Sequence, residues 1–139
     1  MAQRTENNPQ FGWRTFSKVI QDITELFSLV GATPDYQVYV ATLTQTGTNP
    51  PVATVLKNTL SGTPVWSRFG SGSYFMTLNG EFIEGRTAVF HNNTGIDAAS
   101  NVMAYWEDVN TIFYEVTNGV AYADDRFYKN HTIEVRVYN

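Results

Sequence analysis

Two histidines are the residues of this chain best suited to bind a metal ion or transfer a proton. His91 and His131 stand forty positions apart, and the chain has no cysteine. A zinc site needs three or four ligands in a suitable geometry, so a carboxylate from Asp97, Asp124 or Asp125 would have to complete it. Because no spacing in the sequence supports such a set, each histidine is predicted to lie at the surface or at the end of a strand.

Acidic residues suggest two further kinds of chemistry. Asp124 and Asp125 could begin a calcium loop, but the segment YADDRFY lacks the alternating ligands, the glycine and the final glutamate of an EF-hand, which favours a polar turn. Glu81 and Glu84 could act as a glycosidase pair, although carboxylates near a turn are typical of solvated rim residues. The sequence also lacks a nucleophile elbow and a phosphate-binding glycine loop. It therefore predicts a protein that is not an enzyme and that has no cofactor and no metal.

The composition favours one folded, β-rich domain. The chain has 139 residues, of which 16% are charged and 14% are aromatic, and the charged share is well below the typical quarter. The net charge is −4 and the nine lysines and arginines are scattered, which disfavours a nucleic-acid partner. The polar start of the chain has no signal-peptide core, and no apolar run approaches the roughly 20 residues that span a bilayer. We expect a soluble protein made in the cytosol, with no membrane partner.

The first 31 residues are predicted to form an arm (1–12) and an amphipathic helix (13–31). The arm could be a frayed terminus or could dock on a neighbouring subunit. In the helix, apolar residues recur at three- and four-residue steps, and Gly31 and Pro34 mark its end. The resulting stripe could pack on its own domain, or on a second copy or a partner. On the second alternative it is the candidate assembly interface, with six members: Phe16, Val19, Ile20, Ile23, Leu26 and Phe27.

Residues 35–139 change to a period of two and predict about eight short strands. This pattern is typical of an antiparallel β-sandwich of jelly-roll-like type. Asn79-Gly80 predicts a hairpin into the segment EFIEG. Two later predicted strands, 101–108 and 111–117, are separated by only two residues, Val109-Asn110. The last strand has Ile133, Val135 and Val137 on one face. Four aromatic residues could lie in the core or form a sugar-binding face: Trp66, Tyr105, Trp106 and Tyr114.

A long motif in the sandwich region carries a family resemblance. A strand ending in T-Q-x-G-T is followed by P-x-A-x-V-L-x-N-T-L, V-W-x-R and G-x-Y-x-x-T-L-x-G-x-F, and the chain closes on I-E-V-R-V-Y. This pattern, over residues 36–139, resembles a β-rich module in virion structural proteins of tailed bacteriophages that infect Bacteroidota, crAss-like phages included. The pattern contains no catalytic residue.

The resemblance implies a non-enzymatic virion component that decorates the capsid or belongs to a head fibre or the tail. Such a protein would be made in the host cytoplasm, form homo-oligomers and bind other virion proteins. A carbohydrate- or receptor-binding module at a fibre tip is the alternative. Fold alone does not decide between them.

Overall fold

The computed structural model describes residues 9–30, 35–92, 100–124 and 131–139, with helix side chains over 15–26. The chain divides into two compact units, Met1–Pro34 and Asp35–Asn139. The first unit contains a helix and the second contains two β-sheets.

Helix α1 runs from Pro9 to Val30, over 22 residues. It begins inside the segment predicted as an arm (1–12), because proline is compatible with the first helical position, where its missing N–H would have no partner. Residues 1–8 and the predicted stop signals Gly31 and Pro34 lie outside the described residues. Within the described part of the chain, no helix is long and apolar enough to cross a membrane.

The second unit contains eight strands in two antiparallel sheets. Sheet A has the order β2-β1-β8-β5, and sheet B has the order β3-β4-β7-β6. The strands are β1 (Tyr36–Thr44), β2 (Val52–Asn58), β3 (Val65–Gly70), β4 (Ser73–Thr77), β5 (Thr87–His91), β6 (Asn101–Asp108), β7 (Thr111–Thr117) and β8 (His131–Tyr138). The predicted count and the predicted antiparallel sandwich are confirmed.

Alternation along the strands builds the core between the two sheets. In β8, Ile133 and Val135 are 0% exposed and Val137 is 4% exposed, as their spacing predicted. The residues between them are half-buried. The same alternation in the other strands supplies the rest of one core cluster, which includes Tyr39, Leu43, Trp66, Tyr74, Met76, Phe82, Ile112 and Tyr114.

The two strands predicted on either side of Val109-Asn110 are confirmed, and this pair of residues forms a hairpin turn. It joins β6 to β7, which pair antiparallel along their length. The backbone N–H of Asn110 donates to Asp108 Oδ1 at 2.7 Å, which closes the turn. Ser71 and Gly72 form a second such connection, between β3 and β4.

The hairpin predicted at Asn79-Gly80 is wrong. Gly80 has a φ of 70°, as a turn glycine would, but no strand follows it before β5. Instead Phe82 is fully buried in the core, and its N–H donates to the Val109 carbonyl at 2.9 Å. Burying this one large ring fixes the segment as a crossing from sheet B to sheet A, which overrides the local turn signal.

Candidate functional site

The apolar stripe of α1 is exposed along the helix. Ile23 is 43% exposed and Leu26 is 60% exposed. All the helix side chains that the structure describes, over residues 15–26, are exposed. The other stripe members with described side chains are Phe16 (60%), Val19 (47%) and Ile20 (49%). Phe27 lies in α1, but its side chain is outside the described residues. The stripe is therefore a continuous apolar surface on the helix.

A second surface lies on the outer face of sheet B. The strand registers place Ser67, Phe75, Phe113 and Tyr105 in one row across the four strands. A β-bulge after Arg68 brings Phe69 against this row. The four rings of Phe69, Phe75, Phe113 and Tyr105, here called the aromatic row, form a chain of contacts. Phe113 is at its centre.

The aromatic row packs against itself and is exposed at its ends. The Phe113 ring centroid lies 5.1 Å from that of Phe75, 5.3 Å from that of Tyr105 and 6.1 Å from that of Phe69. Phe113 is only 9% exposed because these rings surround it, whereas Phe69 is 68% exposed and Tyr105 is 40% exposed. The exposed rings of Phe69 and Tyr105 can therefore contact a ligand, while the buried ring of Phe113 lies between them and fixes their spacing.

Only one of the four aromatic residues noted in the sequence belongs to this surface. Trp66 and Tyr114 are core residues. Trp106 is half-buried, and its indole N–H donates to the Phe82 carbonyl at 2.8 Å. Tyr105 alone lies on the outer face. Phe69, Phe75 and Phe113 were missed because strand register, and not sequence spacing, brings them together.

Two carboxylates border the Tyr105 end of the aromatic row. Burial raises the pKa of the Tyr105 hydroxyl above its ordinary value, and the negative charges of Glu115 and Glu107 raise it further. Glu115 pairs with Met103 in the neighbouring row of the same face. The surface thus combines aromatic rings with hydrogen-bond acceptors at one end, which is a mixture common in ligand sites.

On the outer face of sheet A, the positively charged side chain of Arg136 contacts other side chains of the same sheet. The guanidinium carbon of Arg136 lies 4.8 Å from the Tyr36 ring centroid and 4.9 Å from that of Phe90. Its Nε donates to Glu134 Oε1 at 2.5 Å, and hydrogen bonds with Tyr138 and then Glu134 raise the pKa of Arg136. A pocket of about 190 Å³ beside it is smaller than typical ligand sites. Arg136 therefore stabilises its own sheet by contacting side chains from β1, β5 and β8.

Asp124 ties the segment after β7 to the β3–β4 hairpin. Its Oδ2 accepts from Arg68 Nη2 at 2.7 Å, and its Oδ1 accepts from Arg68 Nε at 3.1 Å. Oδ1 also accepts from the Gly72 N–H at 3.0 Å and the Tyr74 hydroxyl at 2.9 Å. The Asp124 side chain is only 12% exposed. This residue, which the sequence placed in a polar turn, therefore forms an ion pair with Arg68 that is largely shielded from solvent. Asp125 lies outside the described residues.

We expect Asp124→Asn to lower the free energy of unfolding by about 2 kcal/mol near neutral pH, because a shielded charge-assisted network is lost. The hydrogen bonds from Arg68 hold the pKa of the Asp124 carboxyl well below its ordinary value. Such a depressed pKa stabilises the fold above about pH 4, and the contribution is lost as the pH falls toward the folded-state pKa. Urea melts at pH 6 and pH 3 should therefore show a large difference between the two proteins at pH 6 and a smaller one at pH 3. An equal difference at both values would contradict this role.

Both histidines lie within the sandwich, next to each other. His131 is 0% exposed, and its Nε2 is hydrogen-bonded to the Tyr114 hydroxyl. The His91 ring centroid lies 5.9 Å from that of His131 and 6.2 Å from that of Tyr114. The prediction that each histidine lies at the surface or at the end of a strand is confirmed, since His91 ends β5 and His131 begins β8, although His131 is buried. Burial raises the pKa of Tyr114 well above its ordinary value, so this hydroxyl stays protonated.

Glu81 and Glu84, the two carboxylates considered as a glycosidase pair, differ in burial: Glu81 is buried and Glu84 is exposed. Glu81 is only 7% exposed, and its two oxygens accept from the hydroxyl of Ser61 and, at 3.2 Å, from its N–H. The prediction of a solvated rim is wrong for Glu81, which anchors the loop after β2, and is confirmed for Glu84. Among the residues that the structure describes, no three metal-ligating side chains cluster. Asp97 lies outside those residues.

Known proteins provide no further guide to the stripe or the aromatic row. Comparison of the chain with models of protein families, with curated proteins and with solved structures finds no match in any of the three.

Proposed function

We propose that this chain is a non-enzymatic structural subunit of a bacteriophage virion, which assembles through protein–protein contacts. The observation that carries the proposal is the exposed apolar stripe of α1. A helix of 22 residues gains most of its stability by burying such a face against another surface. The stripe therefore supports a role in which this helix docks.

The stripe is large enough to contribute substantially to assembly. Val19, Ile20 and Ile23 are each between 43% and 49% exposed, and Leu26 is 60% exposed. Burying half of an aliphatic side chain contributes about 1 kcal/mol, so these four residues supply several kcal/mol for each subunit. Homo-oligomers commonly use one self-complementary patch of this kind.

The phage resemblance supports the choice of a virion, and the structure explains the motif behind it. In V-W-x-R, Trp66 is a core residue and Arg68 binds Asp124. In G-x-Y-x-x-T-L-x-G-x-F, Gly72 donates to Asp124, and Phe82 fills the core. The motif residues thus serve the fold of the sandwich, which suits a module that is reused for its shape. The proposal covers capsid decoration, head-fibre and tail subunits.

Binding to phage particles tests the proposal directly. The purified full chain should co-sediment with virions of the crAss-like group, or with one of their structural proteins, and should be displaced by excess unlabelled chain. A chain that is monomeric at all concentrations and binds neither virions nor their isolated proteins would contradict the proposal. The variant Ile23→Asp serves as the control that should lose binding.

A second candidate function, glycan binding at a fibre tip, is favoured by the aromatic row. The exposed rings of Phe69 and Tyr105 can stack on the apolar faces of sugars, while Glu115 and Glu107 can accept hydrogen bonds from hydroxyl groups. This mixture of rings and a few polar groups is typical of sites for small ligands. The two functions are compatible, since the row and the stripe are different surfaces.

We expect Phe69→Ala to reduce any glycan binding at least tenfold, because it removes the most exposed ring of the row. A glycan array with the purified chain and this variant provides the measurement. Val65→Ala is a matched control, since Val65 is 64% exposed in the same strand but is not in the row. A blank array for the wild-type chain would remove this candidate, as would equal binding by Phe69→Ala.

A further inference from the structure

We infer that α1 packs in a parallel bundle with the α1 helices of at least two further copies of this chain. The inference rests on the proposed function, in which the stripe is an assembly interface, and it adds the partner, the orientation and the smallest number of copies. It is carried by the seven-residue repeat of the stripe, by the width of the stripe and by its area.

The apolar residues of α1 repeat every seven positions. Three positions of the repeat, named a, d and e as in coiled coils, are apolar from residue 13 to residue 30. Position a holds Phe16, Ile23 and Val30, position d holds Val19 and Leu26, and position e holds Trp13, Ile20 and Phe27. A sustained seven-residue repeat keeps one side of a helix in contact with neighbouring helices that have the same repeat. The partner that fits this pattern is therefore another helix of the same kind.

Other copies of the chain are the source of such helices. In the part of the chain that the structure describes, α1 is the only helix, and the second unit contains the two sheets. Helices with the matching repeat therefore come from further copies. The side of α1 opposite the stripe is polar, with Arg14, Lys18, Gln21 and Glu25, and it stays in solvent when the stripe is covered. No charged residue has to be buried at position a, d or e.

The stripe is wider than contact with a single helix requires. With about 3.6 residues per turn, positions a and d together span about 80° around the helix, and position e widens the apolar surface to about 140°. The narrow seam is typical of a two-stranded coiled coil, whereas the wide stripe is typical of a helix inside a bundle. Ile20, at position e, is 49% exposed and would lie at the edge of a two-helix pair. A third helix covers it.

The area of the stripe also favours more than two copies. From position 13 to position 30 the stripe is about 27 Å long and about 17 Å wide at the solvent-accessible surface, which gives roughly 450 Å² on each helix. A pair of helices therefore buries at most roughly 900 Å² in total, which is below the about 1,000 Å² expected of a stable, specific interface. Three copies bury up to roughly 1,350 Å², which exceeds that area.

The number of copies determines the orientation. Three identical copies related by one rotation axis have parallel helices, because the rotation leaves the direction along the axis unchanged. Equal positions of the three helices then lie at the same level along the bundle. Phe16 of each copy faces Phe16 of the others, and Ile23 likewise faces Ile23.

The mass in solution and disulfide cross-linking of the full chain test the bundle together. Light scattering should give at least three times the subunit mass of 15.6 kDa. The chain has no native cysteine, so Phe16→Cys reports on its own position, and it should cross-link to itself under mild oxidation because the copies are parallel. Lys18→Cys is the matched control. The Lys18 side chain is 78% exposed on the opposite side of α1, so this variant should not cross-link.

Ile20→Ser tests the width of the stripe without a new cysteine. It removes the apolar side chain at position e, so the concentration at which half of the protein is assembled should rise at least tenfold. Gln21→Ser, on the opposite side of the helix, should leave that concentration unchanged. An unchanged value for Ile20→Ser would overturn the bundle, because contact through positions a and d alone would then be sufficient.

The outcomes distinguish this inference from the proposed function. A mass of at least three subunits, with self-cross-linking by Phe16→Cys and none by Lys18→Cys, supports the bundle. A monomer or a dimer overturns the bundle, while its binding to virions would still support the proposed function. A larger mass that persists in Phe16→Cys without cross-linking, or equal cross-linking by Lys18→Cys, overturns the parallel packing of the stripes.

Discussion

Ile23→Asp is expected to convert the assembled protein to monomers. Ile23 lies in the middle of the stripe, where 43% of its surface is exposed on the helix and available for burial by another copy. An aspartate at a closed apolar interface would bury a charge with no partner, which costs several kcal/mol. The dissociation constant should rise at least a hundredfold. Sedimentation velocity over a range of concentrations measures this change.

The matched control is Gln21→Asp, which introduces the same charge on the opposite side of the helix. It should leave the mass in solution unchanged. The melting temperature of Ile23→Asp should also stay close to that of the wild type when the sandwich is followed by its aromatic signals. A large fall in melting temperature would favour the other interpretation, in which the stripe packs within its own chain. Unchanged mass and melting temperature would show that the stripe does neither.

Gly72→Ala is expected to destabilise the sandwich by about 3 kcal/mol or more. Gly72 has a φ of 62°, which costs an L-residue about 1–2 kcal/mol. An added Cβ would also lie 2.5 Å from the backbone nitrogen of Ala123 and still closer to the carbonyl oxygen of Val116. These are backbone atoms that cannot turn away, so overpacking adds about 1–3 kcal/mol. Urea-induced unfolding provides the measurement.

Gly47→Ala separates the two causes. Gly47 has a nearly identical φ of 59°, but an added Cβ would meet no atom within 4 Å. It should cost only the conformational term, about 1 kcal/mol. Equal losses for the two variants would show that the close approach at Gly72 is unimportant. The hydrogen bond from Gly72 to Asp124 would also be strained in Gly72→Ala, so the variant should reproduce part of the effect of Asp124→Asn.

Local patterns in the sequence were sufficient to predict the strands. Alternation in β8 identified its buried face, and the spacing of turns gave eight strands and a sandwich. The error at Asn79-Gly80 arose because Phe82 is held by the Val109 region, which lies far along the chain. A turn signal describes only its own few residues, and a contact of long range can override it.

The surfaces and the ion-pair network depend on pairings that a sequence does not display. Arg68 and Asp124 are 56 residues apart in the sequence. The rings of Phe69 and Phe113 come together because β3 and β7 both pair with β4, one on each side. The apolar stripe of α1, in contrast, follows from helical periodicity alone. Helical periodicity therefore identified the stripe residues whose exposure the structure describes, whereas the aromatic row was identified only through Tyr105.

The mass of the full chain in solution tests the central claim, that the chain assembles through α1. Light scattering at increasing concentration should give about twice the subunit mass of 15.6 kDa, or a higher multiple, and Ile23→Asp should return it to the subunit mass. A mass of 15.6 kDa at every concentration, with no binding to phage particles or their proteins, would contradict the claim.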